Sequence, residues 1–228
     1  MGRTKPGHDR SLQCPLLGSP LPVGRGERLV ARSLLWLRAD PEAIRELKCR
    51  LWLLQQQGVR VTFDPSSSWE VAVMPLAGSP EYALLAGAVD GRPKVFEPDP
   101  LRALLLALAY PSGSFSSLQV GVDPGRRACG VAAIADGLVF HASPSACGDV
   151  GREVSRIVRA APSERYRVLL GSGTGWEEVA GSLLEAGLQF EVVDEYGTTS
   201  SRLELPVRLK DRNLRAALRL AMTPPLSF

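Results

Sequence analysis

Two hydrophobic periods alternate along the chain. Short alternating or continuous apolar runs mark strands, and apolar residues returning every three or four positions mark helices. Leu29 to Leu37 reads as a strand. Asp40-Pro41-Glu42 then opens a helix, with Asp40 as N-cap and Pro41 in its first turn, running to Gln57 and closed by Gly58. Val59 to Phe63, Glu70 to Met74, Leu84 to Val89 and Lys94 to Phe96 read as further short strands, and Asp99-Pro100 starts a second helix over 101–110. The pattern predicts a small α/β domain over residues 29–110. It holds no phosphate-loop glycine pattern and no cluster of catalytic residue types, so a scaffold or accessory role is expected for it.

Pro111-Ser112-Gly113-Ser114-Phe115-Ser116-Ser117 reads as a linker. After it, Leu118 to Asp123 alternates as a strand, Cys129 to Ile134 is a second, and Asp136-Gly137 is a hairpin signal before a third, Leu138 to Ala142. A helix over 150–160 follows, then a strand over 167–170, a helix from Trp176 closed by Gly187, a strand from Leu188 to Val193, and a last helix from Asp211 to about Met222. A three-strand meander thus precedes alternating helices and strands in residues 118–228. Residues 1–28, rich in Gly, Pro, Arg and Ser without a hydrophobic period, read as a flexible basic tail.

Composition excludes several classes. Apolar residues are 45% and charged residues 22% of 228, as in a soluble globular protein. No apolar run is long enough to span a bilayer and no signal segment opens the chain, so a cytoplasmic location and no membrane partner are expected. The net charge is +3, with six basic and two acidic residues in 1–32 and thirteen of each in 117–228. Within that neutral half, the segment from Arg202 to Arg219 holds six basic residues against Glu204 and Asp211. Cys14, Cys49, Cys129 and Cys147 form no CxxC pair, which argues against a structural zinc site. They are expected to be reduced, with a Cys129–Cys147 bridge as the alternative.

The chemistry-bearing residues lie at element ends. Asp123 ends one strand, Asp194 and Glu195 end another, and Asp211 opens the last helix. Hard carboxylate ligands suit Mg²⁺ or Mn²⁺, and two such ions can stabilise both the attacking and leaving oxygens of phosphodiester cleavage. Singly, Asp123 also reads as a turn residue, Asp211 as a helix cap and Asp194-Glu195 as a solvated strand end. Arg212, Arg215 and Arg219 share one face of the last helix and, with Arg126, Arg127, Arg208 and Lys210, form a candidate path for nucleic-acid phosphates; a solvated face is the other reading. The Gly171-Ser-Gly-Thr-Gly175 run reads as a strand-to-helix turn ahead of a phosphate cradle. His141 sits on a strand with no readable partner.

Gly121-Val-Asp-Pro-Gly-Arg-Arg-Ala-Cys-Gly130-Val-Ala resembles the first-strand motif of the RuvC/YqgF branch of the RNase H-like superfamily. Val193-Asp-Glu-Tyr-Gly-Thr-Thr199 looks like that family's later acidic segment, Leu170-Gly-Ser-Gly like the strand and turn before it, and Lys210 to Ala217 like its closing helix. The resemblance covers about residues 118–222. It implies an RNase H-like fold for this half and a divalent-metal nuclease or resolvase acting on structured or branched DNA or RNA. Asp123, Asp194 or Glu195, and Asp211 are then the implied Mg²⁺ or Mn²⁺ ligands. The family's last helix often carries a second acid, where this chain has Asn213 and Arg215. A non-catalytic nucleic-acid-binding or adaptor protein on the same fold is the alternative. An actin-like phosphotransferase ranks third, because no second Asp-x-Gly loop occurs in 29–110. A homodimer stays open.

Overall fold

The structure, a computed structural model, describes residues 34–37, 39, 41–64, 66, 69–74, 93–194 and 204–224. The expected tail over 1–28, the first part of the first strand, Asp40 as a cap, the strand at 84–89 and Glu195 lie outside the described residues.

The first half builds a parallel sheet. Strands β1 (Leu34–Leu37), β2 (Arg60–Thr62), β3 (Val71–Met74) and β4 (Lys94–Phe96) stand in the order β2-β1-β3-β4. All their pairings are parallel. Helix α1 (Pro41–Gln56) joins β1 to β2 and ends where Gly58 takes a left-handed φ of 85°. There Val59 N donates to Leu54 O and Gly58 N to Gln55 O, which closes the last turn. Helix α2 (Pro100–Leu108) is capped by Asp99, whose side chain accepts from Arg102 N.

The second half builds a mixed sheet. Strands β5 (Leu118–Asp123), β6 (Cys129–Ala135), β7 (Leu138–Ser145), β8 (Tyr166–Gly171) and β9 (Glu191–Val193) stand in the order β7-β6-β5-β8-β9. β5, β6 and β7 are an antiparallel meander, while β8 and β9 add in parallel on the other side of β5. Asp136 and Gly137, with φ of 45° and 79°, make the β6–β7 hairpin. This order, with β5 central, is compatible with an RNase H-like sheet. Val120, Val122, Val131, Phe140, Val168 and Leu170 pack with α3 (Val150–Ala160) and α4 (Trp176–Glu185), in a core that also includes Leu35, Leu47, Leu51 and Val71 of the first half. On the opposite face, Ala132, Ile134 and Val139 pack with Leu214, Ala217, Leu218 and Ala221 of α5 (Arg212–Ala221).

Three details depart from expectation. The last strand is shorter because Leu188 folds back onto α4 past Gly187: Leu188 N donates to Leu183 O and Gly187 N to Leu184 O, a closing motif that places Leu188 against the helix. β7 runs on to Ser145 instead of stopping at Ala142, which brings Ser145 opposite Cys129. The cysteines, expected to be reduced, are bridged: Cys147, two residues beyond that pairing, joins Cys129 at a Cα separation of 5.4 Å, and Cys49 is also disulfide-bonded. The extra length of β7 is what sets the two thiols opposite one another.

α1 lies against the edge strand β7, and Gln57 fastens its end there. Its Nε2 donates to Val139 O at 2.7 Å and its Oε1 accepts from Val139 N at 2.9 Å. The amide thereby supplies one strand-like pairing to an edge that would otherwise offer open groups. Among the described residues no helix is long and apolar enough to cross a membrane.

Candidate nucleic-acid interface

Asp123 closes β5 opposite Gly130 and is only 7% exposed. Side chains alternate along a strand, so Asp123 shares the face of Gly121. That face meets α5 at backbone contact. A Cβ on Gly121 would stand 2.0 Å from Ala217 O and 2.6 Å from Ala221 N, and one on Gly130 would stand 2.4 Å from Asn213 O. The helix therefore runs back along β5, and its first turn lies level with Asp123. A helix N-terminus carries partial positive charge, which favours a carboxylate beside it.

The turn after Asp123 is tied to the same helix. A Cβ on Gly125 would lie 2.2 Å from Asn213 Nδ2, and Asn213 Nδ2 donates to Ala128 O at 3.0 Å. Cys147 Sγ approaches Gly125 O at 3.6 Å from the other side. The turn's arginines are thereby fixed close to the strand end.

Across β5, the end of β8 presents the Gly171–Gly175 turn. Ser172 N donates to Val193 O, and Gly175, with φ of 89°, is the left-handed residue before α4. The parallel strands β5 and β8 mark a switch point in the strand order, since the chain leaves β5 for β6 on one side and returns through β8 on the other. Ligands of α/β sheets bind in the crevice outside the strand ends at such a point. A cavity of about 620 Å³ lies there. Asp123, Gly173 and Thr174 line it, with Arg126 from the turn and Arg212, Asn213, Arg215 and Arg219 from α5. Arg219 Nε is closed off from solvent and meets no acceptor among the described residues.

The residues singled out in the sequence divide accordingly. Asp123, Arg126, Arg212, Arg215 and Arg219 come together in the cavity. Arg127, Arg208 and Lys210 are exposed and do not line it. Val207 and Leu209, which alternate with Arg208 and Lys210, are buried, so the two cations stand out from a segment anchored by its apolar neighbours. Asp194 is exposed, one residue beyond β9, and Glu195 lies outside the described residues. Asp211 is exposed and caps α5, its Oδ1 accepting from Leu214 N at 3.0 Å, and it does not line the cavity. A two-ion centre needs carboxylates close enough to share metals bound at about 2.0–2.1 Å. Among the described residues no group of three or more His, Cys, Asp and Glu could hold a metal ion. The described residues alone therefore do not complete a two-ion centre.

No protein-family model matches the chain, and no curated protein matches it in sequence. Among solved structures, one described as T. thermophilus RuvC in complex with Holliday junction substrate aligns at 14% identity with a TM-score of 0.36, covering 46% of this chain and 90% of that one. A likeness of that size carries no information on chemistry, which rests on the side chains of the cavity.

Sequence reasoning missed two features. Asn213 stands where an acid was looked for, and its work is to hold the 124–128 turn; the only signal is its place two residues after the cap. His141 has a partner after all: it is 4% exposed, and its Nε2 shares a hydrogen bond of 2.7 Å with Glu153 Oε1 on α3. Burial pushes the imidazole below its ordinary pKa, and the Glu153 hydrogen bond offsets this only in part. Burial also pushes the Glu153 carboxyl up, but hydrogen bonds with His141, Ser145 and Ser143 outweigh it and leave the group below its ordinary value.

Proposed function

We propose that this protein binds the phosphate backbone of structured or branched nucleic acid at the strand-end cavity. The observation that carries this reading is the convergence of Arg126, Arg212, Arg215 and Arg219, from a turn and a separate helix, on one cavity. Guanidinium groups offer several fixed donors to phosphate oxygens and remain charged at any physiological pH. Arg219 brings an Nε that meets no acceptor among the described residues. Cavities at strand ends position a ligand; sequence-independent phosphate contacts then supply affinity.

Divalent-metal hydrolysis is the second reading. It rests on the near-burial of Asp123 at the end of the central strand and on the register that sets Val193, just before Asp194, level with Gly171. Mg²⁺ or Mn²⁺ would be held by Asp123 and the acids after β9.

One titration tests both. A labelled four-way DNA junction is bound at several salt concentrations, with and without Mg²⁺ or Mn²⁺, by wild type, Arg215→Ala/Arg219→Ala and Asp123→Asn. Loss of two phosphate contacts should weaken binding and flatten the salt slope by about two, roughly one per contact, for every DNA sequence alike. Equal binding by the double variant at every salt concentration refutes the phosphate reading. Asp123→Asn should bind at least as tightly as wild type without metal, because it removes a negative charge beside the phosphate. Cleavage by wild type with Mn²⁺ that Asp123→Asn abolishes establishes the second reading; absence of any cleavage leaves a binding protein.

A further inference from the structure

The bridge between Cys129 and Cys147 lies against the turn that carries Arg126. Cys129 is the first residue after that turn, opening β6, and is fully buried. Cys147 stands in the short helical turn before α3, is half-buried, and reaches Gly125 O from outside. The turn 124–128 is therefore held on one flank by Asn213 and on the other by a covalent link. Both cysteines belong to the core that packs with α3 and α4, on the face of the sheet away from α5.

We propose that Cys129 and Cys147 form a redox-active pair that controls the order of the 124–128 turn and, through Arg126, the affinity of the cavity for nucleic acid. The second half of this statement rests on the phosphate-binding reading above. A disulfide that a reductant can reach opens and closes by thiol exchange, so one placed beside a site can report redox state. The location fits that use. A bridge remote from any site would alter stability alone, whereas this one borders a functional turn, and one of its two cysteines is only half-buried.

Reduction by a dithiol balances as an exchange. One thiolate of the reductant attacks Cys147 Sγ, the more accessible sulfur; the Cys129–Cys147 bond breaks and Cys129 leaves as thiolate and takes up a proton. The reductant's second thiolate then attacks its own sulfur in the mixed disulfide and releases Cys147, which is protonated in turn. The pair gains two electrons and two protons, and the dithiol becomes a disulfide. Without the link, Cys147 can turn away from Gly125 and the turn keeps only the Asn213 contacts.

The test compares oxidised wild type, wild type treated with dithiothreitol, and a Cys129→Ser/Cys147→Ser variant that leaves the Cys49 bridge in place. Two readouts are taken on each: junction binding as a function of salt, and the rate of tryptic cleavage after Arg126 and Arg127. The proposal expects reduction and the double substitution each to speed cleavage at these two sites about tenfold and to weaken junction binding about tenfold, near the effect of one lost charged contact. The salt slope should fall by about one. Dithiothreitol should have no further effect on either readout in the double variant, which separates this pair from Cys49. Unchanged cleavage on reduction overturns the proposal. Faster cleavage with unchanged binding overturns the control of affinity. If no form binds the junction, the phosphate-binding reading fails, and the cleavage rates alone still decide whether the pair governs the turn. If the double variant does not fold, reduced wild type, its folding checked by circular dichroism, decides both readouts.

Discussion

Substituting Gly121 by alanine tests the placement of α5 on the sheet. The added Cβ would stand 2.0 Å from Ala217 O, while ordinary contact begins at 3.4 Å. The helix must therefore retreat locally by about 1.4 Å, the difference between these two separations. The atoms struck are helix backbone, which cannot swing aside as a side chain can. Retreat opens the packing of Leu214, Ala217, Leu218 and Ala221 on Ala132, Ile134 and Val139. Overpacking costs about 1–3 kcal/mol and more where the backbone must move, so about 3 kcal/mol is expected here. For a chain of this size each kcal/mol lowers the melting temperature by roughly 2–4 °C, giving a drop of about 6–12 °C. Gly130→Ala, facing Asn213 O at 2.4 Å, should behave alike. Gly181→Ala is the control: it lies within α4 with nothing inside 4 Å of an added Cβ, and should raise stability by up to about 1 kcal/mol. Thermal unfolding followed by circular dichroism reads all three. A Gly121→Ala protein that melts within about 2 °C of wild type would refute the close helix approach.

Two further predictions concern Asp211 and His141. Asp211→Ala removes the cap of α5 and should cost about 1 kcal/mol, read by urea unfolding, while Asp211→Asn caps as well and should melt with wild type; loss of metal-dependent cleavage in the asparagine variant would instead make Asp211 a ligand. His141 is held below its ordinary pKa by burial, beside Glu153, Arg50 and Arg156. The unfolded chain therefore takes up this proton at a higher pH than the folded one, so stability is present above about pH 6.5 and falls as the pH drops below it, by at most about 1.4 kcal/mol per pH unit for one proton. The chain has two histidines, so His141→Gln isolates the effect: melting curves between pH 7.5 and 5 should flatten in the variant, and an unchanged slope would refute the assignment.

Much of the second sheet was legible because its signals are local. Alternation in Leu118–Asp123, the positive-φ pair Asp136-Gly137 and the glycine stop at Gly187 each fix a boundary within a few residues. Pairings between distant segments were not legible. Nothing near Gln57 says that its amide will meet Val139, eighty-two positions on. Glu153 reaches His141 only after β7 and α3 have packed, and the Cys129–Cys147 link needed the three residues by which β7 outran its apolar alternation. The candidate site was legible in its arginines, whose i, i+3, i+7 spacing puts Arg212, Arg215 and Arg219 on one helix face. It was less so in its acids. Asp211 satisfies both a ligand pattern and a capping pattern, and only the hydrogen bond to Leu214 N shows the cap in use.

The first-strand motif illustrates why sequence resemblance informs fold before chemistry. Of its residues, Gly121 and Gly130 are required by the approach of α5, and Gly125 by the contact with Asn213 and Ala128. Any chain that lays a helix this close across the first two strands of such a sheet needs small residues at these positions, whether or not it cuts a phosphodiester. Asp123 differs: packing does not demand a carboxylate at a strand end that is 7% exposed, and burying one is costly unless cations or donors compensate. The first turn of α5 and the arginines that line the same cavity put positive charge on its side of the sheet. On the phosphate-binding reading the arginines attract the ligand and the acid repels it, so removing the acid and removing the arginines should shift binding in opposite directions. Variants at the glycines, by contrast, must lose the fold before they lose the charge pattern, which separates the two roles that this one stretch of sequence combines.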